Sequence, residues 1–309
     1  MSAVQDAAAE AEPATWFTQR ERGVLWLMAF SFRLATVLGR GPMKAPVAAV
    51  ALWYCLFDRA AKRASREWLT VALGRPPRFA EIYRHLRTFA QVTLDRVFLL
   101  TGKTRGLTFT RTGAEHLRRQ FESGRGAVLL GAHLGSYEAM RYGGLGDQIS
   151  IQIVGHFANA RQINGLLERL DPGQAARVTH LGDDPVGVMA KVRARLEAGE
   201  LVASLGDRVG LTDRSLRVSF CGREAAFATG PFLMAHLLRC PVYLVFGIYR
   251  DPGQYELHAE PFADCIDLPR KGRDQAMHDL VQRFAARVEH HAMGAPFNWF
   301  TFYDFWRAS

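Results

Sequence analysis

Two periods of hydrophobicity alternate along this chain. Between Phe79 and Leu100, apolar residues fall at Ile82, Leu86, Phe89, Val92, Val97 and Leu100, the spacing of one helix face. Beyond that point the pattern switches between short apolar runs and further helical stretches. The runs predict strands over Leu107–Thr110, Ala127–Leu130, Ile149–Val154, Leu201–Leu205, Leu216–Phe220 and Val242–Ile248. Between them the spacing predicts helices over Ala114–Glu122, Tyr137–Gly143, Ala160–Leu170, Pro185–Ala198 and Pro231–Leu238. A last helix is expected from Arg273 to His291. Such alternation implies an α/β sheet with helices packed on it. With no internal repeat and no Gly/Ser linker, residues 71–309 read as one domain.

The first 70 residues differ. Residues 1–15 are Ala-rich and acidic (Asp6, Glu10, Glu12), the reverse of a secretory n-region, and read as a disordered leader. Residues 16–70 read as a membrane-associated helical region. Gly23 to Gly39 is apolar except for Arg33, and Ala45 to Phe57 carries no charge. Neither matches the roughly 20 apolar residues of a secure membrane span. Trp16, Phe17 and Trp26 stand where interfacial aromatics would, with Arg20 and Arg22 beside them. A basic collar follows: Arg59, Lys62, Arg63, Arg66, Arg75 and Arg78. Apolar helices followed by a collar suit an anionic cytoplasmic leaflet. Two core helices with a solvated basic face are the other reading.

Composition narrows the chemistry. At 309 residues and 49% hydrophobic, the chain can bury a large core, and its net charge of +9 favours anionic partners. Nothing resembles a zinc finger or an RNA-binding signature, so nucleic acid is not supported. The four cysteines are scattered without a CxxC pair, which suggests neither a disulfide framework nor a zinc site and fits a reducing compartment. There is no GxSxG, no GxGxxG after a strand and no HExxH. Gly102-Lys103-Thr104 lacks the leading glycine of a phosphate loop, since position 97 is Val97. His290 and His291 read as helix-end residues.

What is present is "GAVLLGAHLGSYE", in which an apolar run delivers His133 and Glu138 follows five residues later. This spacing puts an imidazole on the loop after a strand and a carboxylate in the first turn of the next helix. If the two meet, Glu138 fixes the tautomer of His133, and Nε2 can take a proton from a substrate hydroxyl. Gly131 and Gly135 would keep the loop open to substrate, and helix-start amides would help an oxyanion. On spacing alone, a histidine that merely follows a strand explains the same residues.

The HxxxxE pair resembles the HxxxxD/E signature of lipid acyltransferases, and the surrounding blocks resemble the bacterial lipid A late acyltransferase family. The resemblance covers most of the chain: "RAAKRASREWLTVALG", "NARQINGLLERL" with Asn164, and "GELVASLGDRVG" with Asp207. It continues through "VSFCGREAAFATGPFLMAHLLRCPV", with Gly222, Thr229 and Gly230, to the close "APFNWFTFYDFW". It implies a central mixed β-sheet flanked by helices, as in glycerolipid acyltransferases, with N-terminal apolar membrane-associated helices. It also implies acyl transfer from acyl carrier protein to a lipid hydroxyl at the cytoplasmic face of the inner membrane, with no cofactor.

Departures from the family lie where the acceptor would be read. Val209 stands where a second acidic residue is usual, Asn164-Gly165 replaces Asn-Pro, and Phe302, Asp304, Phe305 and Trp306 replace a basic cluster. They resemble a divergent branch associated with aryl-polyene-type lipids and other glycolipids.

The resemblance implies His133 as general base and Glu138 as its orienter. Asp207 would anchor the site floor or position the acceptor; a strand-end turn residue is its plainer reading. Arg208 would hold a phosphopantetheine or lipid phosphate, or be a solvated arginine. Asn164 and Arg161 would line the mouth, or Asn164 would only start a helix. Thr229 would bind substrate or cap the next helix. The aromatic close would pack the core or line an acyl channel. Two alternatives remain open. One is a coenzyme A-dependent lysophospholipid or glycerol-phosphate acyltransferase; the other is an inactive membrane scaffold of the same fold.

Overall fold

The computed structural model describes residues 25–144, 151–155, 178–180, 185–209 and 214–306. The N-terminal leader, Trp16, Phe17, Arg20 and Arg22 lie outside them, as do the helix expected over Ala160–Leu170 and, with it, Arg161 and Asn164.

Four helices come first: α1 (Leu25–Leu38), α2 (Arg40–Phe57), α3 (Arg59–Leu73) and α4 (Phe79–Leu100). In α3, Ala61, Ala64, Ser65, Trp68 and Leu69 are buried while Arg59, Arg63 and Arg66 are exposed, a helical stripe set by the sequence spacing. Asp58 caps it, accepting the Ala61 amide at 3.0 Å. None of the described helices is long and apolar enough to cross a membrane. Helices α1 and α2 nonetheless leave Phe30, Val37, Leu38, Val50, Trp53, Leu56 and Phe57 exposed.

The rest is strand and helix: β1 (Thr108–Thr112), α5 (Ala114–Glu122), β2 (Ala127–Gly131), α6 (Tyr137–Gly144), β3 (Ile151–Gly155), β4 (Val178–His180) and α7 (Pro185–Glu197). There follow β5 (Leu201–Leu205), β6 (Ser215–Phe220), β7 (Arg223–Ala228), α8 (Gly230–Leu238), β8 (Val242–Arg250), β9 (Gln254–Ala263) and α9 (Arg273–Gly294). Among the described residues the main sheet has seven strands in the order β1-β9-β8-β2-β5-β3-β4, and β6 and β7 form a separate hairpin. The sheet is mixed. β8, β2, β5, β3 and β4 run parallel, and β9 returns antiparallel to β8 with β1 parallel to it.

Strand β2 is buried along its whole length. Val128 and Leu130 join the cluster formed with α9 (Phe284, Val288) and α3 (Trp68), whereas Ala127 and Leu129 join residues of α4 and α6 on the other face. A strand covered on both faces reads as a continuous apolar run, which is why it was visible in the sequence. The expected set lacked β4, β7 and β9. Strand β9 alternates, with Tyr255, Leu257 and Ala259 buried, but its other face carries Glu256, His258 and Glu260, and Pro261 interrupts it. Charged residues and proline are poor strand formers, and only pairing between β8 and β1 holds this segment extended.

Helix α2 is fastened to the sheet by a buried ion pair that the apolar pattern gave no hint of. Arg40 donates to the fully buried Asp95 of α4 through Nε at 2.8 Å and Nη2 at 3.0 Å. Asp95 also accepts from Gln91 Nε2 at 2.8 Å and from the Tyr255 hydroxyl of β9 at 3.0 Å. Burial works against the Arg40 charge, and Asp95 more than offsets it, so its pKa is raised. Removing one partner strands the other charge in the interior. Asp95→Ala is therefore expected to lower the unfolding free energy by about 3–5 kcal/mol in urea titrations.

Candidate active site

The site forms where two neighbouring parallel strands end. Strands β2 and β5 are paired in register, with Gly131 opposite Leu205. His133 and Asp207 each lie two residues beyond those partners, so the register alone brings them side by side. Asp207 is fully buried, and its carboxylate makes two contacts with one residue. Oδ2 accepts the backbone amide of His133 at 2.8 Å, and Oδ1 lies 2.8 Å from Nδ1. An ionised carboxylate can only accept, so Nδ1 carries the proton and Nε2 keeps its lone pair. The imidazole is 31% exposed.

The electrostatics suit a base. Burial holds the pKa of His133 below its ordinary 6.5, with Arg208 pushing the same way against the opposing pull of Asp207. Burial alone would raise the Asp207 carboxyl, but His133 and Arg208 together bring it below its usual value. Near neutral pH the pair is thus an ionised carboxylate beside a neutral imidazole.

Glu138 does not take the place expected of it. It forms neither a hydrogen bond nor an ion pair with His133; its Oε1 lies 2.6 Å from Nε of Arg96 on α4. The cause is local geometry. Ser136 caps α6 through the Ala139 amide at 3.1 Å, which puts Glu138 in the first helical turn, favourable for a negative charge. From there it faces α4, and the carboxylate on Nδ1 comes from the adjacent strand.

The glycines and helix-start amides also serve a different end. Gly135 has φ +70°, and a Cβ there would lie 2.0 Å from the carbonyl oxygen of Gly247 in β8. Gly135 thus lets the loop press against β8 rather than opening it to substrate. Its amide donates to the Asn298 carbonyl at 2.9 Å, and the Ser136 amide donates to that of Gly247 at 2.7 Å. Both are committed to holding the loop.

The C-terminal segment supplies the other side of that clamp. The Phe300 amide donates to the His133 carbonyl at 3.0 Å, while Arg208 Nη2 donates to the Phe300 carbonyl at 2.9 Å. The Arg208 guanidinium also stands 5.4 Å from the centre of the Tyr303 ring. Arg208 is therefore engaged with the protein next to His133, not solvated. Asn298, buried, bonds with its amide side chain to both backbone groups of Tyr249, at 2.8 and 3.0 Å. Sequence reasoning passed over Asn298, although an asparagine within an aromatic run was a visible signal. Trp299, Phe300, Tyr303 and Phe305 are core residues, and Asp304 reaches Arg63 at 3.2 Å.

Thr229 does not cap α8. Its hydroxyl donates to the Arg214 carbonyl at 3.0 Å, tying the start of that helix to the beginning of β6. His291, expected at a helix end, pairs with Glu260 at 2.7 Å.

No curated protein matches the chain. Among solved structures it is similar to the 1-acyl-sn-glycerophosphate acyltransferase of Thermotoga maritima. The identity is 12% and the TM-score 0.36, over 85% of this chain and 95% of that one. The sequence model described as bacterial lipid A biosynthesis acyltransferase matches residues 13–308, which takes in His133, Asp207 and the C-terminal clamp alike. Over nearly its whole length, then, this chain belongs to the bacterial lipid A biosynthesis acyltransferase family and is an acyltransferase of lipid synthesis.

Proposed function

We propose that the enzyme is a membrane-associated O-acyltransferase that moves a fatty acyl chain from acyl carrier protein to a hydroxyl of a lipid or glycolipid. The observation that carries this reading is the tautomer set by Asp207, which leaves Nε2 of a neutral, partly exposed His133 ready to take a proton. The acceptor hydroxyl gives its proton to Nε2, and its oxygen attacks the thioester carbonyl carbon. Collapse of the tetrahedral intermediate breaks the C–S bond, and the departing thiolate takes the proton from the imidazolium. Asp207 stays ionised throughout and stabilises the imidazolium. Arg208, close enough to depress the pKa of His133, supplies positive charge for the developing oxyanion or for a phosphate of either substrate.

Two surfaces support the partners. The exposed apolar residues of α2 run directly into the exposed Arg59, Arg63 and Arg66 of α3, an arrangement suited to the anionic cytoplasmic leaflet of the inner membrane. The chain's net charge of +9 also suits the acidic acyl carrier protein. Phe302, Asp304, Phe305 and Trp306 stand where lipid A enzymes carry a basic cluster, and the positive charge they remove from that segment favours a glycolipid or aryl-polyene-type acceptor over a phosphorylated disaccharide.

Extracted lipids from cells carrying wild-type protein or His133→Ala, compared by mass spectrometry, test the reaction. The expected result is a lipid lacking one acyl chain only in the variant; identical profiles at equal expression would refute the mechanism. Membrane attachment has its own test. Replacing Trp53 and Phe57 together with serine is expected to cut co-sedimentation with phosphatidylglycerol-containing vesicles about tenfold or more, by removing two large apolar groups from the interface. Unchanged binding would exclude this face.

A further inference from the structure

Helix α4 carries a histidine bonded into the segment that holds the His133 loop. His85 is fully buried. Its Nε2 lies 3.0 Å from the carbonyl oxygen of Trp299, and its Nδ1 lies 2.9 Å from the hydroxyl of Ser65 on α3. A carbonyl oxygen can only accept, so Nε2 carries the proton and Nδ1 accepts from Ser65. Burial brings the pKa of His85 down to about 4, which keeps the ring in this single neutral form near neutral pH. The ring also packs on the same segment, with centroids 6.2 Å from Phe300 in a stacked arrangement and 4.9 Å from Phe302.

Residues 298–300 are a short strip whose backbone reaches in several directions. The Asn298 carbonyl takes the Gly135 amide, the Phe300 amide holds the His133 carbonyl, and the Phe300 carbonyl holds Arg208. One peptide segment thus sets both the base and the arginine whose charge bears on it. Between those contacts, the Trp299 carbonyl is gripped by His85 and by the Thr301 amide at 3.0 Å.

We propose that His85 is a positioning residue for acyl transfer: its Nε2–H fixes the 298–300 strip, and the strip fixes His133 and Arg208 relative to one another. The proposal rests on the reading of His133 as the base. When the donor is lost, the strip gains freedom at its centre and the His133–Arg208 geometry loosens. Both causes that depress His133, burial and Arg208, then weaken. The acidic limb of kcat/KM, expected below pH 6.5 in the wild type because burial and Arg208 depress His133, should accordingly move up toward that value.

Asparagine and glutamine separate this role from plain packing. Glutamine at position 85 places an amide N–H near the position of Nε2 and can still donate to Trp299; asparagine reaches only toward Ser65. Turnover is read as thiol release from dodecanoyl-acyl carrier protein with total cellular lipid as acceptor. His85→Asn is expected to lower kcat about 10- to 100-fold, the cost of a small displacement of a reacting group, with KM little changed and the acidic limb moved upward. His85→Gln is expected to recover most of kcat and the original limb. Wild-type behaviour of the asparagine variant, or equal losses in both with the limb unmoved, would overturn the proposal.

A measurement on the unaltered enzyme guards against variants that do not fold. Nitrogen NMR of labelled histidines should find His85 as the Nε2–H tautomer, silent between about pH 5.5 and 8, the window above its depressed pKa. The neutral Nδ1–H tautomer would remove the donor to Trp299 and the proposal with it, and titration in that range would contradict the single neutral form in which Ser65 and Trp299 hold the ring. Should His133→Ala retain turnover, the base assignment fails while the tautomer of His85 is unaffected, so the two failures are told apart.

Discussion

One carboxylate, Asp207, organises the candidate active site. With Oδ2 on the backbone amide of His133 and Oδ1 on its ring, it fixes where the residue stands and which nitrogen is left open. A fully buried carboxylate is costly unless its hydrogen bonds are satisfied, and here both oxygens are engaged by one residue. The contact exists because β2 and β5 are parallel and paired with Gly131 opposite Leu205. Their C-terminal ends therefore deliver the two loops to one place. The rest of the site is arranged to keep that place rigid: Gly135 against Gly247, the 298–300 strip across the His133 loop, and Arg208 held by Phe300.

The N-terminal helices belong to the same mechanical unit. Trp68 of α3 packs edge-on to Trp299 with ring centres 4.5 Å apart, and its indole N–H donates to the Pro296 carbonyl at 2.6 Å. Arg40 at the start of α2 pairs with Asp95, which also holds Tyr255 of β9. Helices that present apolar and basic surface outward are thus bolted to the strip that clamps His133. This ties the surface proposed above to meet the membrane to the segment that holds the candidate site.

Much of this was legible in the sequence wherever the signal is local. Helices α4 and α5 and strand β5 begin and end where hydrophobic spacing places them, because amphipathic periodicity is decided over one or two turns of chain. The buried run before His133 identified the loop that carries it. Strand β9 was missed because its acceptance into the sheet depends on β8 and β1, far away in sequence. The same limit misled the reading of the site. Glu138 lies five residues from His133 in sequence, but the cap at Ser136 turns it toward Arg96. Asp207 is distant in sequence and adjacent in space. Parallel register is a non-local property, and no spacing along the chain expresses it. His85 was hidden for the same reason, since its partners Ser65 and Trp299 lie on other elements.

The division of labour between the two carboxylates is the claim on which the account turns. Steady-state kinetics of Asp207→Asn and Glu138→Gln, both checked for folding, test it most directly. With Asp207 as the orienter, Asp207→Asn should lower kcat about 10²- to 10⁴-fold by removing the acceptor that sets the tautomer, and Glu138→Gln should cost far less. The reverse order, with Glu138→Gln abolishing turnover and Asp207→Asn nearly unaffected, would contradict the account.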